Sequence, residues 1–214
     1  RINDMLLTVP MPTTMGYPGD PWSNAGSMEN KGWELSVGYN NKVGDFTYGI
    51  KGNISTFKNK VLTLGGGEPV IGTAHLNEAI TRTEIGMPVG YYFGWIADGI
   101  FQNQAEVDKS PQKGVSTPGD IRFRDINGTD ANGKVIAGPD GKLDAADRTM
   151  IGNPWPDFTY GLNMNFGYKN FDLSLFWQGS QGNDVMNILR YDTEAGTGWY
   201  NAPKGFLEKA WNGE

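Results

Sequence analysis

The stretch Phe158-Thr159-Tyr160-Gly161-Leu162-Asn163-Met164-Asn165-Phe166-Gly167-Tyr168-Lys169-Asn170-Phe171-Asp172-Leu173-Ser174-Leu175-Phe176-Trp177-Gln178 decides the fold. Apolar and polar residues alternate along it, break at Lys169-Asn170 and resume, which is the period of two paired strands. A tight turn at that break pairs Tyr168 with Phe171. The register then stacks Phe166 on Leu173, Met164 on Leu175 and Leu162 on Trp177, all on one face. The other face carries Asn163, Asn165, Ser174 and Gln178 with Gly161 and Gly167. An earlier stretch repeats the pattern: if Val43 pairs with Phe46 across Gly44-Asp45, one face carries Tyr39/Ile50, Val37/Gly52, Leu35/Ile54 and Trp33/Thr56. Glu34, Lys42, Lys51 and Asn53 fall on the opposite face. Alternating strands of about 9–11 residues, with tight turns at one end and long loops at the other, predict a membrane-spanning β-barrel.

Composition agrees with an all-β, loop-rich chain: 31 glycines, 12 prolines and 12% aromatic residues in 214. No apolar run approaches the roughly 18 residues of a transmembrane helix. A net charge of −6 without a Lys/Arg cluster argues against nucleic acid, which demands concentrated positive charge. The absence of cysteine removes disulfides, thiol catalysis and zinc–thiolate sites together. Arg1 is no initiator, so the chain reads as a fragment.

Five segments are expected: residues 1–30 as a strand end and loop, 31–57 as a barrel hairpin, 58–157 as an extracellular excursion, 158–192 as a second hairpin, and 193–214 as an extracellular loop with a short helix. Both tight turns face one compartment, so an even number of spanning strands lies between the hairpins. Zero is the reading, because Gly86, Pro88, Gly90 and Gly94 interrupt the best candidate, Thr81 to Ile96. A helix is expected near Gln104 to Asp108 and another within Ala202 to Trp211, with Asp184 to Tyr191 continuing a strand outward.

Asn24-Ala25-Gly26-Ser27-Met28-Glu29-Asn30-Lys31-Gly32-Trp33-Glu34-Leu35 resembles a stretch of the SusC/RagA-like TonB-linked outer-membrane transporters. Four further blocks follow in that family's order. They are Gly90 to Trp95 with Asp98 to Asn103, then Pro118 to Asp125, then Asp147-Arg148 with Ile151 to Pro154, and finally Tyr160-Gly161-Leu162 with Phe171 to Phe176 and Gln178 to Asn183. The resemblance implies a fragment of a barrel of about 22 antiparallel strands with a plugged lumen. It implies an importer of oligosaccharides, in some members peptides, in a bacterial outer membrane. The implied partners are a SusD-like surface lipoprotein and the TonB system, the latter acting through a plug and TonB box absent from this chain.

Asp125-Ile126-Asn127-Gly128 and Asp140-Gly141-Lys142-Leu143-Asp144-Ala145-Ala146-Asp147 together look like one calcium loop split by residues 129–139. Hard cations take oxygen ligands at alternate positions with a glycine at the sharp turn. Asp125, Asn127 and Asp140 would supply the first three ligands, Lys142 its carbonyl, and Asp144 and Asp147 the rest, around one structural Ca²⁺ or Mg²⁺. The other reading is a hydrated acidic turn whose Asp and Asn side chains cap their own backbone. Related transporters often carry the stretch without the interruption.

His75 is the only histidine, so no second imidazole exists for a His-based metal site or a triad. Carboxylate pairs such as Glu29/Glu34 or Glu78/Glu84 read as solvated faces, and no enzyme is expected. Tyr92 and Phe93 read as loop core, whereas Trp95, Trp199 and Tyr200 are candidates for contact with a substrate or partner. Trp33, Tyr48, Tyr160 and Trp177 fit the barrel wall and its aromatic girdles. The competing architecture is a β-sandwich carbohydrate-binding module, whose apolar faces would be covered by a second sheet.

Overall fold

The structure is a computed structural model that describes residues 1–8, 22–65, 67–75, 78–194 and 200–213. In chain order the elements are β1 (Ile2–Thr8), β2 (Trp22–Val43), β3 (Phe46–Thr63), β4 (Val70–His75), β5 (Glu78–Thr83), β6 (Tyr91–Gly94) and β7 (Ala97–Ile100). Next come α1 (Gln104–Asp108), β8 (Ile121–Phe123), β9 (Asn127–Thr129), β10 (Val135–Ala137) and a 3-10 turn over Ala145–Asp147. β11 (Thr149–Gly152), β12 (Phe158–Tyr168), β13 (Phe171–Gln181), α2 (Ile188–Glu194) and α3 (Phe206–Lys209) complete them. They divide into two compact units, one of residues 1–92 and 152–184, the other of 93–151 and 185–214.

The first unit is built on a five-stranded antiparallel sheet in the order β1-β2-β3-β12-β13. Both hairpins have the register that the alternation demands: Val43 opposite Phe46 and Leu35 opposite Ile54 in one, Tyr168 opposite Phe171 and Met164 opposite Leu175 in the other. The reason is that a one-residue slip would carry every apolar side chain to the polar face. β12 lies beside β3, with Met164 opposite Ile50 and Phe166 opposite Tyr48, so the two apolar faces merge. β2 and β3 also run well past residues 31 and 57. Their extra residues are mostly polar, so they carry no apolar–polar alternation for the sequence to display. At Gly32 the neighbouring strand comes so close that any Cβ would meet the Thr56 carbonyl.

The merged face is exposed, with Trp33 at 56%, Leu35 at 53%, Val37 at 63% and Leu173 at 53%. A β-sandwich would have covered these side chains with a second sheet, and they are open. Near the tight turns the face becomes aromatic. Asn41 donates from Nδ2 to the Tyr39 and Tyr48 hydroxyls at 3.0 and 3.3 Å, and Phe46 stacks on Tyr48 and Phe166.

At the far end of β3, Val61 is buried and exchanges backbone hydrogen bonds with Met87 and Gly86. Tyr91, with 1% exposure, anchors this end, whereas Tyr92 and Phe93 are half-buried. The core residue of that aromatic run is therefore its first tyrosine. Burial and, after it, the Glu84 carboxylate hold the Tyr91 phenol in its protonated form well above its ordinary range. β13 stops at Gln181 because Gly182 turns with φ 87°, with Asp157 packed where a Cβ would sit.

In the second unit β7 pairs with β8 and β9 with β10. Asn103 caps α1 by accepting the Glu106 amide at 3.0 Å. The buried Gln112 amide donates to the Ile121 carbonyl and accepts the Phe123 amide at 2.7 Å, which ties the turns after α1 to β8. Phe101 and Val107 form the apolar centre. The strand expected over Asp184 to Tyr191 is absent: Asn187 accepts the Arg190 amide at 2.9 Å and starts α2 instead. Its helix cap outweighs the mixed pattern on which the strand rested.

Candidate functional site

The polar face of the five-stranded sheet is a shallow concavity of about 670 Å³. Alternation points Ser36, Lys51, Asn53, Asn163 and Gln178 into it, together with Glu34. Phe176 joins them, opposite Asn163 and 60% exposed. It is the residue that sequence reasoning missed, although its even number separates it from outward-facing Leu173, Leu175 and Trp177. Hydroxyls pair along the wall, with Ser55 and Thr159 2.9 Å apart. Such a surface offers many weak hydrogen bonds, one carboxylate, one ammonium and one apolar ring. It suits a polar solute held briefly, because each bond exchanges readily with water.

The acidic loop lies in the second unit. The segment between its two halves folds as the β9–β10 hairpin, with Thr129 opposite Val135, and the halves meet at its base. Asp125 accepts the Asp140 amide at 3.1 Å and the Gly141 amide at 2.7 Å. Asp140 takes the Lys142 amide, and Asp144 the Ala146 amide at 2.7 Å. Asp147, with no exposed surface, accepts from Ile126 at 2.8 Å and Asn127 at 3.0 Å on one oxygen and from Asp144 at 2.9 Å on the other. Burial pushes the Asp147 carboxyl up, yet the three amides outweigh it and hold it below its ordinary value. Asn127 donates from Nδ2 to the Ala146 carbonyl at 2.8 Å. Lys142 is exposed. Among the described residues no three acidic or imidazole side chains converge in a ligand cluster. Backbone amides, then, are the observed partners of these carboxylates.

Trp95 belongs to the same loop. Its Nε1 donates to the Asp144 carbonyl at 2.9 Å, the Arg148 guanidinium lies 3.9 Å above its ring, and Phe123 packs at 6.0 Å. The sequence separation of Trp95 and Asp144 gave no local sign of this contact. Tyr200 is exposed at 63%. Trp199 and the Pro/Gly-rich loop of residues 9–21 lie outside the described residues, as does the side chain of His75.

An antiparallel sheet that is apolar and exposed on one side and polar and concave on the other has the alternation of transmembrane β-barrel strands. No family model matches the chain. It is 32% identical over 99% of its length to "TonB-dependent receptor P3" of Formosa agariphila and covers 20% of that protein. It is 26% identical over 86% of its length to "TonB-dependent receptor SusC" of Bacteroides thetaiotaomicron, covering 17%. The solved "RagAB peptide transporter" superposes with a TM-score of 0.69 at 25% identity, over 98% of this chain and 21% of that one. The chain belongs to the SusC/RagA-like family of TonB-dependent receptors, which are outer-membrane β-barrel proteins. It spans about a fifth of the length of the curated relatives it matches.

Proposed function

We propose that this chain is part of the wall and outer loops of a TonB-dependent importer of about 22 strands, working with a SusD-like surface lipoprotein. The observation that carries this reading is the two-sided sheet: an exposed apolar face continuous across β3, β12 and β13, and a polar face opposite. In this proposal the tight turns face the periplasm, as short turns do in bacterial barrels.

Oligosaccharides are the proposed cargo. Phe176 offers a flat apolar ring of the kind that packs on sugar C–H faces, beside amide and hydroxyl groups able to meet sugar hydroxyls. Exposed Tyr200, with Trp95 and Trp199, is proposed separately, as a contact of the second unit with substrate or partner. Peptides are the competing cargo, supported by the likeness to a peptide transporter. The test is binding of labelled oligosaccharides and oligopeptides to the purified full-length protein with its lipoprotein, with and without Phe176→Ala. Oligosaccharide binding weakened by the variant is expected. Saturable binding of peptide alone would overturn the assignment.

The acidic loop is proposed to hold the shape of the outer loops, with one Ca²⁺ or Mg²⁺ adding to that task. An ionised carboxylate has about four acceptor sites, and those on Asp125, Asp140 and Asp144 are not exhausted by the amides they accept. Protease resistance that falls on chelation and returns with Ca²⁺ supports the cation. Identical digestion in both conditions removes it.

A further inference from the structure

β2 and β3 continue beyond Trp33 and Thr56, and there the outward face changes chemistry. Lys31 stands directly opposite Lys58, and Glu29 opposite Lys60. The intervening pair, Asn30 and Asn59, points inward, where Asn59 is buried and accepts the Val89 amide. The three lysines therefore share the face of Trp33 and Leu35. All three are exposed. Lys31 Nζ lies 2.9 Å from Glu29 Oε2, and among the described residues neither Lys58 nor Lys60 forms an ion pair.

Like charges directly opposite each other on an antiparallel pair destabilise it. Here they stand opposite with one carboxylate among three ammonium groups, an arrangement that calls for an external anion. Their height says which. Lys58 is twelve residues along β3 from Phe46 at the tight turn. At a rise of about 3.3 Å per residue and a tilt of about 40° it stands about 30 Å above that turn. The apolar band of an outer-membrane barrel is about 25 Å tall. The amines thus emerge just past the hydrocarbon, beyond Trp33, at the level of lipid headgroups. Barrel walls face lipid there, so the anion within reach is a headgroup phosphate.

We propose that Lys31, Lys58 and Lys60 form a binding site for the phosphate of an outer-leaflet lipid, with the Glu29 carboxylate competing with that phosphate for Lys31. The site rests on the barrel reading above and goes beyond it, since the cargo plays no part in it. Basic clusters at a membrane surface attract anionic headgroups by a similar charge match.

The experiment uses full-length protein in detergent and native mass spectrometry with a lipid A-type glycolipid, in phosphorylated and dephosphorylated forms. Barrel assembly is followed separately, by heat-modifiable migration on gels. The wild type should retain the phosphorylated lipid preferentially. Affinity should fall roughly five-fold for each lysine replaced by glutamine, and Glu29→Gln should tighten it by a similar factor. Should the triple glutamine variant fail to assemble, Glu29→Gln and Lys58→Arg alone decide: tighter and unchanged binding support the site, and no change in the first overturns it. Equal retention of both lipid forms overturns the proposal, as does full competition by millimolar inorganic phosphate. A wild type that never assembles a heat-modifiable barrel would strike the barrel reading itself, and the site falls with it.

Discussion

Asn59 donates from Nδ2 to Asn30 Oδ1 at 2.6 Å and accepts the Val89 amide on its own oxygen at 2.7 Å. The Val89 carbonyl in turn takes the Trp155 indole N–H at 2.8 Å, and Trp155 meets Phe57 edge-on. One buried amide thereby fastens the segment after β5 to the long hairpin. Asn59→Ala leaves the Val89 amide and the Asn30 oxygen without these partners and should cost about 1–3 kcal/mol. Faster protease cleavage near residues 84–90 in the assembled protein would register it, and unchanged cleavage would remove Asn59 from this role.

Leu173→Arg and Leu175→Arg should each cost about 2–4 kcal/mol of membrane assembly if they sit near the bilayer midplane. Asn165→Arg, on the concave face of the same hairpin, should cost far less. Refolding yields into lipid vesicles compare the three. Equal penalties would mean that the two faces are not distinguished by lipid.

Asp147 gives the second unit a pH dependence with a defined sign. Its folded carboxyl lies below its unfolded value, so its contribution is fully present above the ordinary carboxylate range, near pH 4. The contribution is lost as pH falls through the folded value. Asp147→Asn should flatten that acid limb and cost about 1–3 kcal/mol at neutral pH, because an NH₂ group would face amides that need an acceptor. Acid titration of loop protection against hydrogen exchange measures both.

Gly44 holds φ 61° in the first tight turn, and Lys169 holds φ 54° at the matching place in the second. Gly44→Ala should destabilise its hairpin by about 1 kcal/mol, because a Cβ is disfavoured there. Lys169→Gly should be tolerated without loss. Unfolding midpoints of the two variants in the same detergent provide the comparison.

The hairpins were legible because alternation and a two-residue turn fix register without help from distant residues. Phe176 was legible by parity alone and is easily lost among its apolar neighbours. What the chain could not announce were contacts that only folding creates: the indole of Trp95 on the Asp144 carbonyl, and the Asn59 bridge to Val89. The helix at Ile188–Glu194 was hidden for another reason. Asn187 marks its start, but the residues behind it also suit an extended chain.

Asp125 grips the amides of Asp140 and Gly141, so both ends of the intervening hairpin are fixed at one point. Whatever lies between those ends can lengthen, shorten or change sequence while its base stays closed. The hairpin is in that sense an interchangeable cassette. A short epitope grafted at Ala131-Asn132 would be carried there with the rest of the second unit undisturbed.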